Sequence, residues 1–172
     1  MSAEPLHPCA RCARMQRTCC QRAEILVTSA DVRRIAAHTG LAAGESASFV
    51  ERRPPADPSY LEDDPDDPRW KLLTVAADGT RRMLKRKPDG DCVFLGEAGC
   101  VLPTDVRPLV CRLYPWSYDQ RGLLGEDADY CPKTALQPPQ GRMALLLDIP
   151  VGIAEGWRSQ LYAELESDLR SR

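Results

Sequence analysis

The residues of this sequence best suited to chemistry are its eight cysteines. They form an N-terminal group and a later group: Cys9, Cys12, Cys19 and Cys20, then Cys92, Cys100, Cys111 and Cys131. Such thiolates bind zinc or iron–sulfur clusters in a reducing compartment, whereas they form disulfides in an oxidising one. The first residues have neither the basic nor the apolar region of a secretory signal. We therefore predict a cytoplasmic protein whose eight cysteines are metal ligands.

The N-terminal group combines a spaced pair with an adjacent pair. Two residues separate Cys9 from Cys12, which lets both sulfurs reach one metal ion, although redox dithiols share this spacing. Neighbouring side chains seldom point the same way, so Cys19 and Cys20 are expected to serve different metals or different sides of one cluster. A disulfide between them is the alternative, but it requires a strained ring.

The later group lies among turn residues and arginines. Gly96 and Gly99 permit a tight turn between its first two cysteines. Arg107 and Arg112 flank Cys111 and are expected to lie just outside the ligands, where positive charge compensates the thiolates. An ordinary surface position is the alternative for both arginines.

The histidines add little to this set. His7 could be a further ligand, although a surface position is the simpler expectation, and His38 is expected to be structural. The sequence contains no Walker loop, dinucleotide fingerprint or HExxH motif, so no catalytic residue is assigned.

Six features together resemble the YkgJ-type cysteine-rich family of bacteria, also called CxxCxxCC, a domain described as chelating zinc or iron. These are Cys9-x2-Cys12, Cys19-Cys20, Cys92-Val-Phe-Leu, Cys100, Val106–Pro115 and Cys131-Pro132. The interval between Cys12 and the adjacent pair is longer than in the usual short form. The resemblance implies metal or iron–sulfur binding; similar proteins are loosely called iron–sulfur oxidoreductases, and related domains occur in flagellin lysine methylases.

Spacing alone does not choose the metal, because zinc and iron–sulfur clusters both accept tetrahedral sulfur. The resemblance favours an iron–sulfur cluster, expected as [4Fe-4S], for electron transfer or redox and metal handling. One alternative is a zinc-stapled structural or interaction module. Another is an iron–sulfur-dependent oxidoreductase or a protein-modifying, methylase-like enzyme. A protein redox or docking partner is compatible with all three, and the sequence does not indicate an oligomeric state.

The elements that must position the cysteines predict an α+β fold: a small, irregular single domain with short helices and a β-hairpin around the metal centre. We expect a flexible lead-in at residues 1–8 and one domain over 9–172, with an acidic, proline-rich surface loop at 53–69 and a closing helix at 150–170. With 172 residues, 15 prolines and 11 glycines, a metal would help to stabilise such a loop-rich chain.

Local patterns predict the individual elements. We expect a short strand at Glu24–Thr28, a helix from Thr28 to Gly40, and a second helix over Glu45–Arg52 with Phe49 and Val50 facing inward. Residues 72–85 are predicted to form a β-hairpin turning at Asp78-Gly79, and 117–125 a turn or small hairpin. The run 143–149 could be helix or strand. In the closing helix an apolar stripe is predicted: Ile153, Trp157, Leu161, Leu165 and Leu169.

A basic cluster follows the turn of the predicted hairpin. It is either a solvated face or a docking patch for an acidic partner or phosphate, and consists of Arg81, Arg82, Lys85, Arg86 and Lys87. The net charge of −2 gives no general reason to expect nucleic-acid or membrane binding.

Overall fold

A computed structural model of the chain describes residues 7–15, 18–44 and 47–172. These residues form eight α-helices and three two-stranded antiparallel sheets. The helices are α1 (Pro8–Met15), α2 (Cys19–Arg22), α3 (Ser29–Thr39), α4 (Trp70–Thr74), α5 (Leu109–Leu113), α6 (Lys133–Leu136), α7 (Met143–Leu146) and α8 (Val151–Arg170). The strands are β1 (Val50–Arg53), β2 (Arg81–Leu84), β3 (Leu95–Gly96), β4 (Gly99–Cys100), β5 (Trp116–Tyr118) and β6 (Leu123–Glu126).

This mixture of short helices and separate strand pairs confirms the predicted α+β class. Most of the predicted lead-in, residues 1–6, lies outside the described residues, and α1 already begins at Pro8. In the described residues the strand pairs are short and separate, so they form no continuous sheet that could carry the cysteines. The cysteines are instead presented by short helices and by turns and strands between them.

The pairing of β1 with β2 corrects the helix predicted over Glu45–Arg52. Its residues 45 and 46 lie outside the described part, and from Val50 the chain is a strand antiparallel to β2, with Val50 opposite Leu84. Phe49 and Val50 are buried, as predicted. Their inward direction was visible in the sequence, but a long-range strand partner overrides the local helical pattern.

The hairpin predicted over 72–85 is half wrong. Its first half is the helix α4, while the turn occurs where expected: the Asp78 carboxylate accepts a hydrogen bond from Thr80 N at 3.0 Å, and Gly79 has a φ of +78°. The second half, β2, pairs with β1 instead of folding back on α4. The expected strand near Glu24–Thr28 is extended backbone beside β2, with an isolated bridge between Leu26 and Met83.

The N-terminus of α3 has the reciprocal capping that its sequence predicts. The Thr28 hydroxyl accepts from Asp31 N at 2.9 Å, and the Asp31 carboxylate accepts from Thr28 N at 3.1 Å. The helix ends at Gly40, whose φ of +73° is a left-handed conformation that favours glycine. Both boundaries could therefore be read from local chemistry.

The C-terminal third closes the core with α8. The predicted hairpin is present as β5 and β6, and the undecided run at 143–149 starts as the helix α7. In α8, Leu161 and Leu165 are buried, Trp157 and Leu169 pack against the same core, and Ile153 is 47% exposed. None of the helices in the described residues is long and apolar enough to cross a membrane.

The loop over residues 53–69 is largely exposed, as predicted for an acidic, proline-rich segment. It contains one turn of 3₁₀-helix, Pro58–Leu61. Asp67 is an exception because it is buried and accepts a hydrogen bond from the hydroxyl of Tyr162 on α8. The loop is therefore anchored to the closing helix at its end.

The basic cluster does not form one exposed face. Arg81 is only 3% exposed, and its guanidinium lies 4.1 Å from the ring centroid of Tyr60. Arg82 forms an ion pair with Asp168 at 3.0 Å. Both side chains therefore belong to the packing between β2 and its neighbours.

The remaining basic residues of the cluster point in other directions. Arg86 donates to the carbonyl of Gly90 at 2.5 Å, and Lys87 donates to the carbonyl of Leu95 at 2.5 Å. Lys85 is the one member of the five in the exposed class. Docking of a partner here remains a prediction. The basic surface available for it is smaller than the sequence indicates.

Candidate metal centre

Short helices and turns present all of the cysteines. Residues three apart lie on one side of a helix, so α1 presents Cys9 and Cys12 together. The adjacent pair opens α2, and the later cysteines lie in an isolated bridge with Arg86 shortly before β3, in β4, within α5 and just before α6: Cys92, Cys100, Cys111 and Cys131. The glycine-rich turn predicted between the first two of these is the β3–β4 hairpin, in which Gly99 has a φ of +98°.

Direct contacts join the N-terminal cysteines to the later group. The backbone N–H of Cys92 donates to the carbonyl of Cys20 at 2.7 Å. Gly99 packs so closely on α1 that a Cβ at this position would lie 3.4 to 3.5 Å from atoms of Ala10. The fold therefore brings the N-terminal cysteines into contact with a segment about 80 positions later in the chain. Closing such a long loop costs conformational entropy, which the contacts around the shared site must offset.

The two groups surround one cavity of about 630 Å³. All eight cysteines line it, and none is in a disulfide. The cysteines are buried or half-buried, which separates their sulfurs from bulk water. The sequence-predicted ligands thus share one location, although they come from six separate segments of the chain.

The sulfurs are gathered in pairs rather than in complete coordination shells. Cys12 and Cys131 are hydrogen-bonded through their side chains, and so are Cys19 and Cys20. Across the described residues, no three Cys, His, Asp or Glu side chains are arranged to hold a metal ion as they stand. Binding would therefore need rotation of cysteine side chains within the cavity.

Cys20 has the most acidic thiol of the group. The hydrogen bond from Cys19 lowers the pKa of Cys20 to about 7, and the charges of Arg107 and Arg86 act in the same direction against the effect of burial. Its charge also influences the thiols of Cys9 and Cys111. Among the cysteines of the cavity, Cys20 therefore ionises most easily, and its negative charge acts on its neighbours.

The other thiols are held in their neutral form when no metal is bound. Burial raises the pKa of Cys9 and of Cys92 to about 11 and that of Cys12 to about 12. Burial also raises the pKa of Cys111 and Cys131. A cation in the cavity would reverse this balance, because a coordinating thiol is deprotonated.

Arg107 lies where the sequence predicts an outer-shell charge. It lines the cavity, and its Nε donates to the carbonyl of Leu102 at 2.8 Å. Burial raises the pKa of Cys9 and Cys100, and the charge of Arg107 offsets part of that rise. The main-chain hydrogen bond fixes one edge of the guanidinium and leaves the positive group beside the thiols. Compensation of thiolate charge by Arg107 stays a prediction, with which this position is compatible.

Arg112 is placed differently. It is 7% exposed, and its guanidinium donates to the carbonyls of Arg107 and Asp105 at 2.8 and 2.5 Å. These contacts tie α5 to the turn before it. Although Arg112 also borders the cavity, its hydrogen bonds give it a role in shaping the backbone around Cys111.

Comparison with known proteins assigns the chain to a family. The family model "CxxCxxCC: Putative zinc- or iron-chelating domain" matches residues 8–132. The chain belongs to this family. No curated protein and no solved structure matches it. The matched region includes every cysteine, while the closing helix α8 lies outside it.

The residues of this CxxCxxCC domain fit a thiolate-bound metal in their chemistry and their location. Eight thiols free of disulfides face one cavity, with Arg107 beside them. The cavity volume of about 630 Å³ exceeds what a single metal ion occupies. Both zinc and iron–sulfur clusters are compatible with this donor set.

His7 does more for the backbone than for the metal site. Its side chain is exposed, its Nδ1 accepts from Cys9 N at 3.2 Å, and its carbonyl accepts from Ala10 N at 2.9 Å, so it supports the first turn of α1. Although the side chain is largely exposed, its partial burial and the positive charge of Arg107 lower the pKa of His7. His38 is exposed in the last turn of α3, away from the residues that line the cavity.

Sequence reasoning missed the aromatic part of the site. Tyr114 accepts a hydrogen bond from the Cys131 thiol at 3.5 Å, and its own pKa is raised, first by burial. Trp116, Tyr118 and Trp157 also line the cavity. Tyr114 and Trp116 follow Cys111 closely in the sequence, and this proximity was the available signal.

Proposed function

We propose that the cavity of this CxxCxxCC domain holds an iron–sulfur cluster, expected as [4Fe-4S], for electron transfer or for redox and metal handling. The observation that supports this is the convergence of eight thiols, none of them in a disulfide, on one cavity of about 630 Å³. A cubane cluster uses four cysteine thiolates, so the cavity offers a surplus of donors. A bound cluster supplies one-electron redox chemistry.

The residues of the chain have distinct parts in this proposal. The cysteines are the candidate ligands, with Cys20 the thiol most easily ionised. Arg107 compensates their negative charge, and Tyr114 fixes the thiol of Cys131. Hydrogen bonds and charges near the sulfurs are the features by which proteins tune cluster potentials.

Anaerobic purification from iron-supplied cells tests the proposal. We expect brown protein with broad visible absorption that bleaches with dithionite, containing iron and acid-labile sulfide in equal amounts. Cys12→Ser and Cys111→Ser should each lose much of the absorption, while Lys85→Gln, on the exposed side of the chain, should keep it. Colourless protein containing about two zinc ions per chain, as two Cys₄ sites would bind, would overturn the iron–sulfur proposal and support the zinc-stapled module.

A further inference from the structure

One buried carboxylate connects the helices α3 and α5 next to the cysteine cavity. Asp31 of α3 is fully buried, and it accepts hydrogen bonds at both oxygens. Oδ2 accepts from Thr28 N at 3.1 Å, and Oδ1 accepts from Leu109 N at 3.2 Å. Arg34 also donates to Oδ1. A buried carboxylate is costly unless it is satisfied in this way.

The contact with Leu109 gives α5 a cap that its own sequence does not provide. The residue at the N-cap of α5 is Pro108, which has no side-chain oxygen. At the start of the helix, Leu109 N has no acceptor within α5 itself. It donates instead to the carboxylate of Asp31, which lies 78 positions away in the sequence. Since α5 carries Cys111 two residues later, Asp31 fixes the beginning of the helix that presents this thiol.

Helix α8 reaches this carboxylate indirectly, through the two residues that bind it. Arg34 donates to both carboxylate oxygens of Glu164, at 2.6 and 3.0 Å, and the Thr28 hydroxyl donates to Glu164 at 2.6 Å. Glu164 therefore orders the two residues that hold Asp31. This connection matters because α8 lies outside the residues matched by the family model.

We propose that Asp31 is a positioning residue for Cys111, and that Glu164 on α8 supports it through Arg34 and Thr28. This inference rests on the proposed metal function. The contribution of Asp31 is geometric: its negative charge raises the pKa of Cys111, in addition to the effect of burial, so it does not favour the thiolate. In this arrangement the C-terminal helix completes a site whose ligands all lie in the matched region.

Cobalt titration of the metal-free protein tests the inference. Thiolate-to-cobalt charge-transfer absorption reports how many sulfurs bind each cobalt ion. A loss of protein stability alone would not change that number. Asp31→Asn keeps the size of the side chain but places an amide N–H toward groups that all donate. We expect it to weaken cobalt binding about tenfold, as observed when outer-shell partners are removed, and to reduce the charge-transfer intensity.

A double-mutant cycle separates positioning from general destabilisation. If Asp31 acts through Cys111, Asp31→Asn should have no further effect on cobalt affinity in the Cys111→Ser background. An equal loss in both backgrounds, or no loss in either, would overturn the inference. If wild-type protein binds neither cobalt, zinc nor an iron–sulfur cluster, the proposed function itself fails, which is a different result.

Glu164→Gln provides a second variant in case Asp31→Asn does not fold. It should weaken cobalt binding about twofold to fivefold, less than Asp31→Asn, because Glu164 acts through two intermediates. Glu166→Gln is the matched control: it changes the same charge on the same helix, but its ion pair with Arg69 is exposed. Equal effects of the Glu164 and Glu166 variants would contradict a specific role for Glu164.

Discussion

The cysteine cavity and the α3–α8 interface are stabilised in different ways. The cavity is bounded by short elements, among them α2 with four residues and β4 with two, and its thiols are largely in hydrogen-bonded pairs or isolated. The α3–α8 interface has a network of direct hydrogen bonds and ion pairs, and it joins a helix of 20 residues to the apolar core. If the proposed metal binds, it would order the first region, whereas the second is held by contacts between its own side chains.

Metal removal should produce the largest difference between the two regions. Since binding and folding are linked in thiolate sites, chelation should lower Tm by 10 °C or more, given that about 2–4 °C corresponds to 1 kcal/mol in a domain of this size. Hydrogen exchange should accelerate in α1, α2 and the β3–β4 hairpin but much less in α3 and α8. Uniform acceleration over the chain would show that the regions are not separate.

Leu161→Ala should have the opposite signature. Leu161 is fully buried in the core beneath α8, and removing such a side chain costs about 2–5 kcal/mol, because a cavity is left behind. The loss should be similar in metal-free and metal-loaded protein, measured by denaturant unfolding of both. A clearly larger loss in the loaded protein would mean that this packing is energetically coupled to the metal site.

Thiol reactivity distinguishes residues within the cavity. In metal-free protein, alkylation of Cys20 should rise with pH around 7, because the pKa of Cys20 is lowered to about 7 and its thiolate is present above that value. Cys9 and Cys92 should react at least about tenfold more slowly at pH 7.5, since their pKa values are raised and the thiolate is the nucleophile. Peptide mass spectrometry after brief iodoacetamide treatment measures each site.

The same contrast explains what could be predicted from the sequence. Local chemistry was sufficient for α3, whose cap at Thr28 and stop at Gly40 are both read correctly. It was sufficient for the turn at Asp78-Gly79 and for the apolar stripe of α8 except Ile153, which is exposed. These features depend on residues a few positions apart, so a single sequence contains the information for them.

Features that depend on distant partners were not predicted. β1 was read as helix because its partner β2 is about 30 residues away, and Arg81 was placed at the surface although it is buried beside Tyr60. The same reason hid the cap that Asp31 gives to α5. For the site, the sequence named the cysteines, but not which of them lie together.

The smallest effect should come from the arginine beside the thiols. Arg107→Gln removes a charge that lowers the pKa of Cys20, while Cys19 and Arg86 continue to lower it. We therefore expect the pH midpoint of Cys20 alkylation to rise by less than about one unit, because a full unit corresponds to about 1.4 kcal/mol of interaction with one charge. Lys85→Gln removes the same charge at an exposed position and should leave the midpoint unchanged. If both variants shifted the midpoint equally, the effect would reflect net charge rather than the position of Arg107 in the cavity.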